Sequence, residues 1–143
     1  MALEIRLLAR HESALLDRVA PEVFDQPVVE RLREEFFADP RHHIVAALDD
    51  GVVVGFASAV HYVHPDKPPE LWIAEVAVTP ALQRQGVATR LLHAMFEHAR
   101  TLGCVEAWVL TEPYNEGALS LYRAAGMSRT ASDPVMFTLA IGP

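Results

Sequence analysis

Six consecutive residues, Gln83, Arg84, Gln85, Gly86, Val87 and Ala88, lie between an apolar run at residues 71–78 and a long amphipathic stretch at residues 87–102. A strand that ends in a short loop whose glycine opens a helix exposes unpaired backbone N–H groups and the positive end of the helix dipole. Both favour an anion such as a phosphate. Gly86 and Ala88 serve such a cradle by being small, because a branched or long side chain would hold a pyrophosphate away from the amides. The string is neither of two related phosphate loops: the chain has no G-x-G-x-x-G and no G-x-x-x-x-G-K-[ST] with its lysine.

The elements that must position this loop follow from periodicity. Residues 5–9 are expected as a first strand, and residues 12–20 as a helix closed by Pro21, with Leu15, Leu16 and Val19 on one side. A second helix is expected over residues 28–38. Residues 43–48 and 52–63 are β-branched apolar runs joined at Asp49, Asp50 and Gly51, the signature of a tight hairpin. A loop with three prolines at residues 64–70 leads to a strand at 71–78. Val87, Ala88, Leu91, Leu92, Met95, Phe96, Ala99 and Leu102 form a wide helical stripe that Gly103 stops. A fifth strand at 105–110, a short helix at 118–125 ended by Gly126 and a last strand at 135–141 complete an α/β domain with a mixed sheet.

With 143 residues, 51% of them hydrophobic, the chain is expected to form one domain, residues 1–143, burying roughly 70% of its unfolded surface. No apolar run approaches the ~20 residues of a membrane span, and the charged start, with Glu4 and Arg6, is expected as an exposed strand rather than a signal peptide. One cysteine, Cys104, excludes an internal disulfide and agrees with a reducing, cytoplasmic setting. A formal charge of -7 argues against a nucleic-acid surface and suits a cationic partner, although it also keeps soluble domains apart.

The run Val76, Ala77, Val78, Thr79, Pro80, then the 83–88 loop, Leu91-Leu92, and finally Asn115, Ala118, Leu121, Tyr122 and Gly126 resembles the GNAT superfamily of acetyl-CoA-dependent N-acetyltransferases in order and spacing. The specific block covers about residues 71–127. A finer resemblance, carried by Glu75, Val53-Val54-Gly55 and the proline-containing loop, is to aminoglycoside 3-N-acetyltransferases. At 114–116, after the fifth strand, the match is partial.

The resemblance implies a mostly antiparallel mixed sheet, flanked by helices, whose fourth and fifth strands splay to admit the pantetheine arm of acetyl-CoA. Val76, Ala77 and Val78 would bond that arm through their main chain. The N–H groups of Gln85, Gly86, Val87, Ala88 and Thr89 would take the pyrophosphate beside Gln83 and Arg84. Arg84 is otherwise a solvated loop cation. Acetyl transfer needs a neutral amine, whereas an alkyl amine of pKa ~10 is mostly protonated. Glu75 is the candidate base, on the strand face opposite Val76 and Val78; binding the amine, or pairing with a structural cation while water relays the proton, is the alternative. The N–H of Val76 or Ala77 would stabilise the oxyanion. Tyr122 would donate to the departing sulfur or serve as a half-buried aromatic. Asn115 either bonds the cofactor arm or caps the next helix.

These expectations amount to acetyl transfer from acetyl-CoA to a primary amine of a small cationic molecule, by direct attack in a ternary complex. Acetylation of a protein N-terminus or lysine is the rival reaction, and a non-catalytic acyl-CoA-binding module is a third class. Homodimers are common among such families. No metal is expected: His93 and His98 are roughly 140° apart around a helix, and no ligand pattern accompanies His61 and His64, which are candidates for the border of the acceptor pocket. Glu30, Glu34, Glu35 and Asp39 form an acidic helix side.

Overall fold

A computed structural model describes residues 3–143; residues 1 and 2 of the charged start lie outside the described residues. Five strands form one sheet in the order β1 (Glu4–Leu7), β2 (His42–Asp49), β3 (Val52–His64), β4 (Lys67–Val78) and β5 (Ala107–Trp108). The first four are antiparallel neighbours and β5 is parallel to β4. Helices α1 (Glu30–Ala38), α2 (Val87–Thr101) and α3 (Glu116–Ala124) flank it, so the expected mixed sheet covered by helices is found.

Alternation along β2 divides the core into two layers. Val45 and Ala47 face α2, whose Leu91, Leu92 and Met95 are fully buried, while Ile44, Ala46 and Leu48 face the N-terminal segment. The β2–β3 hairpin turns at Asp50 and Gly51, both with positive φ (49° and 77°), the geometry that the Asp-Gly pair favours. Gly103, at φ 80°, follows α2 as its stop.

Several local expectations are corrected. The segment expected as a helix over 12–20 is a 3₁₀ helix, Arg10–Asp17; Val19 leaves it to bridge Val53, with Ala20 N–H donating to Val53 O at 2.8 Å. Sheet pairing there outweighs helical spacing. The proline segment is no free loop, since β4 begins at Lys67 and His64 pairs with Lys67. Pro69 joins this edge through its carbonyl, which accepts from Val105 N–H at 3.1 Å. The expected fifth strand shrinks to Ala107–Trp108. No strand forms at 135–141, where Val135, Phe137, Leu139 and Ile141 lie exposed and off the sheet. Strand propensity has effect only where a ladder partner receives it.

Three imidazoles from β2, β3 and α2 meet under the sheet. His43 Nε2 lies 2.7 Å from His61 Nδ1, and His43 Nδ1 lies 2.9 Å from His98 Nε2. His61 therefore faces α2 and does not border the acceptor side as expected, and His64 pairs instead with exposed Asp66. Spacing along α2 could not reveal a cluster assembled from three elements. Among the described residues no group of three or more His, Cys, Asp or Glu is arranged to hold a metal ion.

Burial, and then the neighbouring His98 and His61, bring the His43 pKa down to about 4; burial also lowers that of His98. The fold thus favours the neutral forms of His43 and His98. As pH falls from about 6.5 towards 4, the unfolded chain takes up protons before the native state does, so stability falls over that window. Thermal melts should show Tm declining between these values, and His43→Phe should flatten the decline; an unchanged slope would show that the cluster does not govern it.

Candidate active site

The site is built around β4. Its ladder with β5 has two rungs, Leu71 with Ala107 and Trp72 with Trp108, after which the two backbones part. Beyond the fork, one edge of β4 runs unpaired towards Val78. Thr79 N–H donates to Val54 O of β3 at 2.8 Å, so strand alternation turns Ala77 towards β3 as well and leaves the main chain of Val76 and Val78 directed into the gap. The Gln83 amide donates to Val78 O at 2.9 Å. Val76 therefore offers both an N–H and a carbonyl, whereas the expectation for Ala77 N–H meets a strand already paired on that side.

Next to the fork lies the start of α2. Gly86 precedes it at φ 80°, no side chain caps it, and its first turn contains no acidic residue. The first intrahelical bond runs from Arg90 N–H to Gly86 O at 3.1 Å. The N–H groups of Val87, Ala88 and Thr89 precede it without helical acceptors, and the dipole adds partial positive charge. A Cβ at Gly86 would meet no atom within 4 Å, so backbone conformation requires glycine here and space in front of the amides remains open. Arg84 is exposed in the same loop with φ 63°. The Gln83 and Gln85 side chains bind main-chain oxygens of Val78 and Ala81 and thereby shape the loop. These features fit the pyrophosphate and pantetheine arm of acetyl-CoA.

A β-bulge aims Glu75. Ser58 pairs with Glu75 and Ala59 with Ile73, leaving Ala74 as the extra residue. Leu71 and Ile73 point into the α2 layer and so do Val76 and Val78. The phase has shifted between them, and Glu75 joins Ala77 on the opposite face. Burial first, then the charge of Asp25, raise the Glu75 pKa. Asp25 belongs to the segment after Pro21, which Phe24 fastens to β3 by stacking on Phe56 at 4.3 Å, while Thr79 Oγ1 donates to Pro21 O at 2.8 Å. Asp25 had no sequence signal, since only folding brings residues 20–29 over β4.

Tyr122 stands on the other side of the sheet, half-buried in α3, and burial raises its pKa. With Leu119, Val109, Cys104 and Met127 it lines a cleft of about 1050 Å³ beside β5. Burial also pushes the Cys104 thiol up, which disfavours a thiolate. Asn115 Oδ1 accepts from Ala118 N–H at 3.1 Å, so its carbonyl caps α3. Glu75 does not line this cleft. Glu75 and Tyr122 occupy opposite faces, with the β4–β5 gap between them, so two reactants entering from opposite sides would meet in that gap.

The profile of the Acetyltransferase (GNAT) family matches residues 11–127. Among curated relatives, the chain is similar to the N-alpha-acetyltransferase RimI of Mycobacterium tuberculosis, 36% identical over 92 residues, covering 64% of this chain and 56% of that protein. It is also similar to the mycothiol acetyltransferase of an Arthrobacter species, 30% identical over 109 residues, covering 76% of this chain and 33% of that one. The match thus spans about half or less of these relatives' lengths. Among solved structures, an aminoglycoside acetyltransferase from an uncultured soil metagenomic sample superposes with a TM-score of 0.80 at 21% identity, covering 98% of this chain and 97% of the other. The aminoglycoside N-acetyltransferase AAC(6')-Iy in complex with CoA gives 0.74 at 26% identity, covering 97% and 95%. A family match over most of the chain, a forked sheet and an uncapped helix behind a glycine loop lead to one conclusion: the chain belongs to the acetyltransferase (GNAT) family.

Proposed function

We propose that this protein transfers acetyl from acetyl-CoA to a primary amine of a small cationic molecule, aminoglycoside-like or polyamine-like, by direct attack in a ternary complex. The observation that carries the reading is the β4–β5 fork with Glu75 on one face and the cradle at Gly86 and Tyr122 on the other. Acetyl-CoA supplies an activated thioester. Val76 would orient the pantetheine arm, and the amides at the start of α2 would hold the pyrophosphate with Arg84 alongside.

Glu75 takes the proton from the acceptor ammonium and frees the nitrogen lone pair. Its raised pKa makes it a better base than an exposed glutamate, and Asp25 adds charge that attracts the cation. As the N–C bond forms, the Val76 N–H stabilises the negative charge on the carbonyl oxygen. The C–S bond breaks with its electron pair on sulfur, Tyr122 gives that sulfur its phenolic proton, and the nitrogen releases its second proton to solvent to leave a neutral amide. Both groups then recover their protonation states from solvent. Acidity at the acceptor side, from Asp25 and Glu75 together with the chain's charge of -7, favours a cationic small molecule over the N-alpha acetylation named for the RimI relative. The regiochemistry named for the CoA-bound aminoglycoside neighbour is 6', not the 3-amino position of the finer sequence resemblance. The aminoglycoside parallel therefore rests on substrate class. A cytoplasmic location and a homodimer accord with this reading.

Acetyl-CoA at 100 times its Kd should stabilise the protein by about 2.7 kcal/mol in a thermal-shift assay. Gly86→Val, which cannot comfortably hold φ 80°, should abolish most of that shift while the protein still melts cooperatively. An intact shift would remove the phosphate cradle from the account.

For Glu75→Gln, kcat/KM should fall by about 10²-fold or more, and the loss of rate on acidification through the raised Glu75 pKa should disappear. A variant that keeps the wild-type pH profile would exclude Glu75 as the base. Tyr122→Phe should lower kcat by about tenfold or more with an unaltered acetyl-CoA thermal shift; unchanged turnover would assign Tyr122 to packing alone.

A further inference from the structure

We infer that Trp72 and Trp108, backed by Tyr62 and Glu70, form a second acceptor subsite that selects cations carrying at least two amino groups. One amine lies at Glu75 for reaction, and a neighbouring charged group rests on the indoles. This rests on the acetyl-transfer reading above and adds to it the acceptor's required shape.

Strand register places the parts. Trp72 pairs with Val60 and Glu75 with Ser58, two positions apart on β3, so both side chains project from one face about 7 Å apart along the strand. On that face, towards the end of β4, Ala77 packs with Val23, Phe24 and Val28 of the segment that holds Asp25. Trp72 and Trp108 form the last rung before the fork, with ring centroids 6.0 Å apart and planes inclined by 25°. Trp72 is 39% exposed, unusual for the most hydrophobic of large rings.

Hydrogen bonds hold the platform. Trp108 Nε1–H donates to the Tyr62 hydroxyl at 3.2 Å, which donates to Glu70 Oε1 at 2.8 Å. Both bonds are made at ring edges, so they leave the outer indole face of the stacked pair to a ligand. Glu70, and then Glu106, add negative charge around Tyr62. Among the described residues no lysine or arginine forms an ion pair with Glu70, Glu75 or Glu106. Arg100, Arg123 and Arg129 line the cleft that Trp108, Tyr62, Glu70 and Glu106 share with Tyr122, yet none pairs with these carboxylates, and aromatic faces beside them attract ammonium groups by cation–π and Coulomb terms together. A hydrophobic partner would have to bury those carboxylates without compensation.

The chain has only two tryptophans, and both are in the platform, so intrinsic fluorescence reports on it directly. The CoA-saturated protein is titrated with spermidine, and with n-butylamine at matched ionic strength. Spermidine should change the emission saturably and butylamine should not. Trp72→Ala should lower the ratio of kcat/KM for spermidine over butylamine about tenfold while the acetyl-CoA thermal shift persists, and Trp72→Phe should restore most of the ratio.

Identical responses to the two amines, or an unaltered ratio in Trp72→Ala, would overturn the subsite and leave the acetyltransferase reading standing. Saturable quenching by spermidine without CoA release from acetyl-CoA would do the reverse.

Discussion

Everything at the candidate site follows from β4 being held differently on its two edges. Along one edge it pairs with β3 through almost its whole length; along the other it has two rungs with β5 and then none. An interior strand stripped of one partner would ordinarily be a liability, because unpaired N–H and C=O groups recruit other strands. Here the exposure is short, and the loop that opens α2 stands next to it, Gln83 donating to Val78 O. A slot with free main-chain donors and acceptors is what an extended, amide-containing ligand arm can pair with.

The bulge at Ala74 sets the face on which Glu75 lies. Without the extra residue, the alternation begun at Leu71 and Ile73 would carry Glu75 into the layer against α2, where an unpaired carboxylate is costly. α2 shows a related economy. Its missing cap costs about 1 kcal/mol. Burial of Leu91, Leu92 and Met95, at about 1.5–3 kcal/mol each, exceeds that several times over. Packing of the middle of the helix leaves its first amides available for an anion.

How legible this was depended on range. The hairpin at Asp50-Gly51, the apolar stripe of α2 and its stop at Gly103 are local patterns, and they were readable. The 83–88 loop was readable as a glycine turn opening a helix, because a glycine beside a helix start has local consequences. Glu75 was placed on the right face only because Val76 and Val78 lie beyond the bulge; counting from Leu71 gives the opposite answer. The approach of Asp25 to Glu75, the meeting of His43, His61 and His98, and the stacking of Trp72 on Trp108 join segments distant in the chain, and no local periodicity encodes them. The segment at 135–141 was misjudged for the same reason, since alternation states a preference and the partner strand lies elsewhere.

The histidine row has a property that its distances alone do not express. A neutral His43 has one ring proton, so it donates in one of its two N···N bonds and accepts in the other. If His98 is the donor at one end, His43 must donate to His61; if His61 donates, His43 must donate to His98. The three tautomers are not independent, and the row has two polarities, each reversing the dipole that runs between α2 and β3. Three side chains share a single binary choice, stored in proton positions alone.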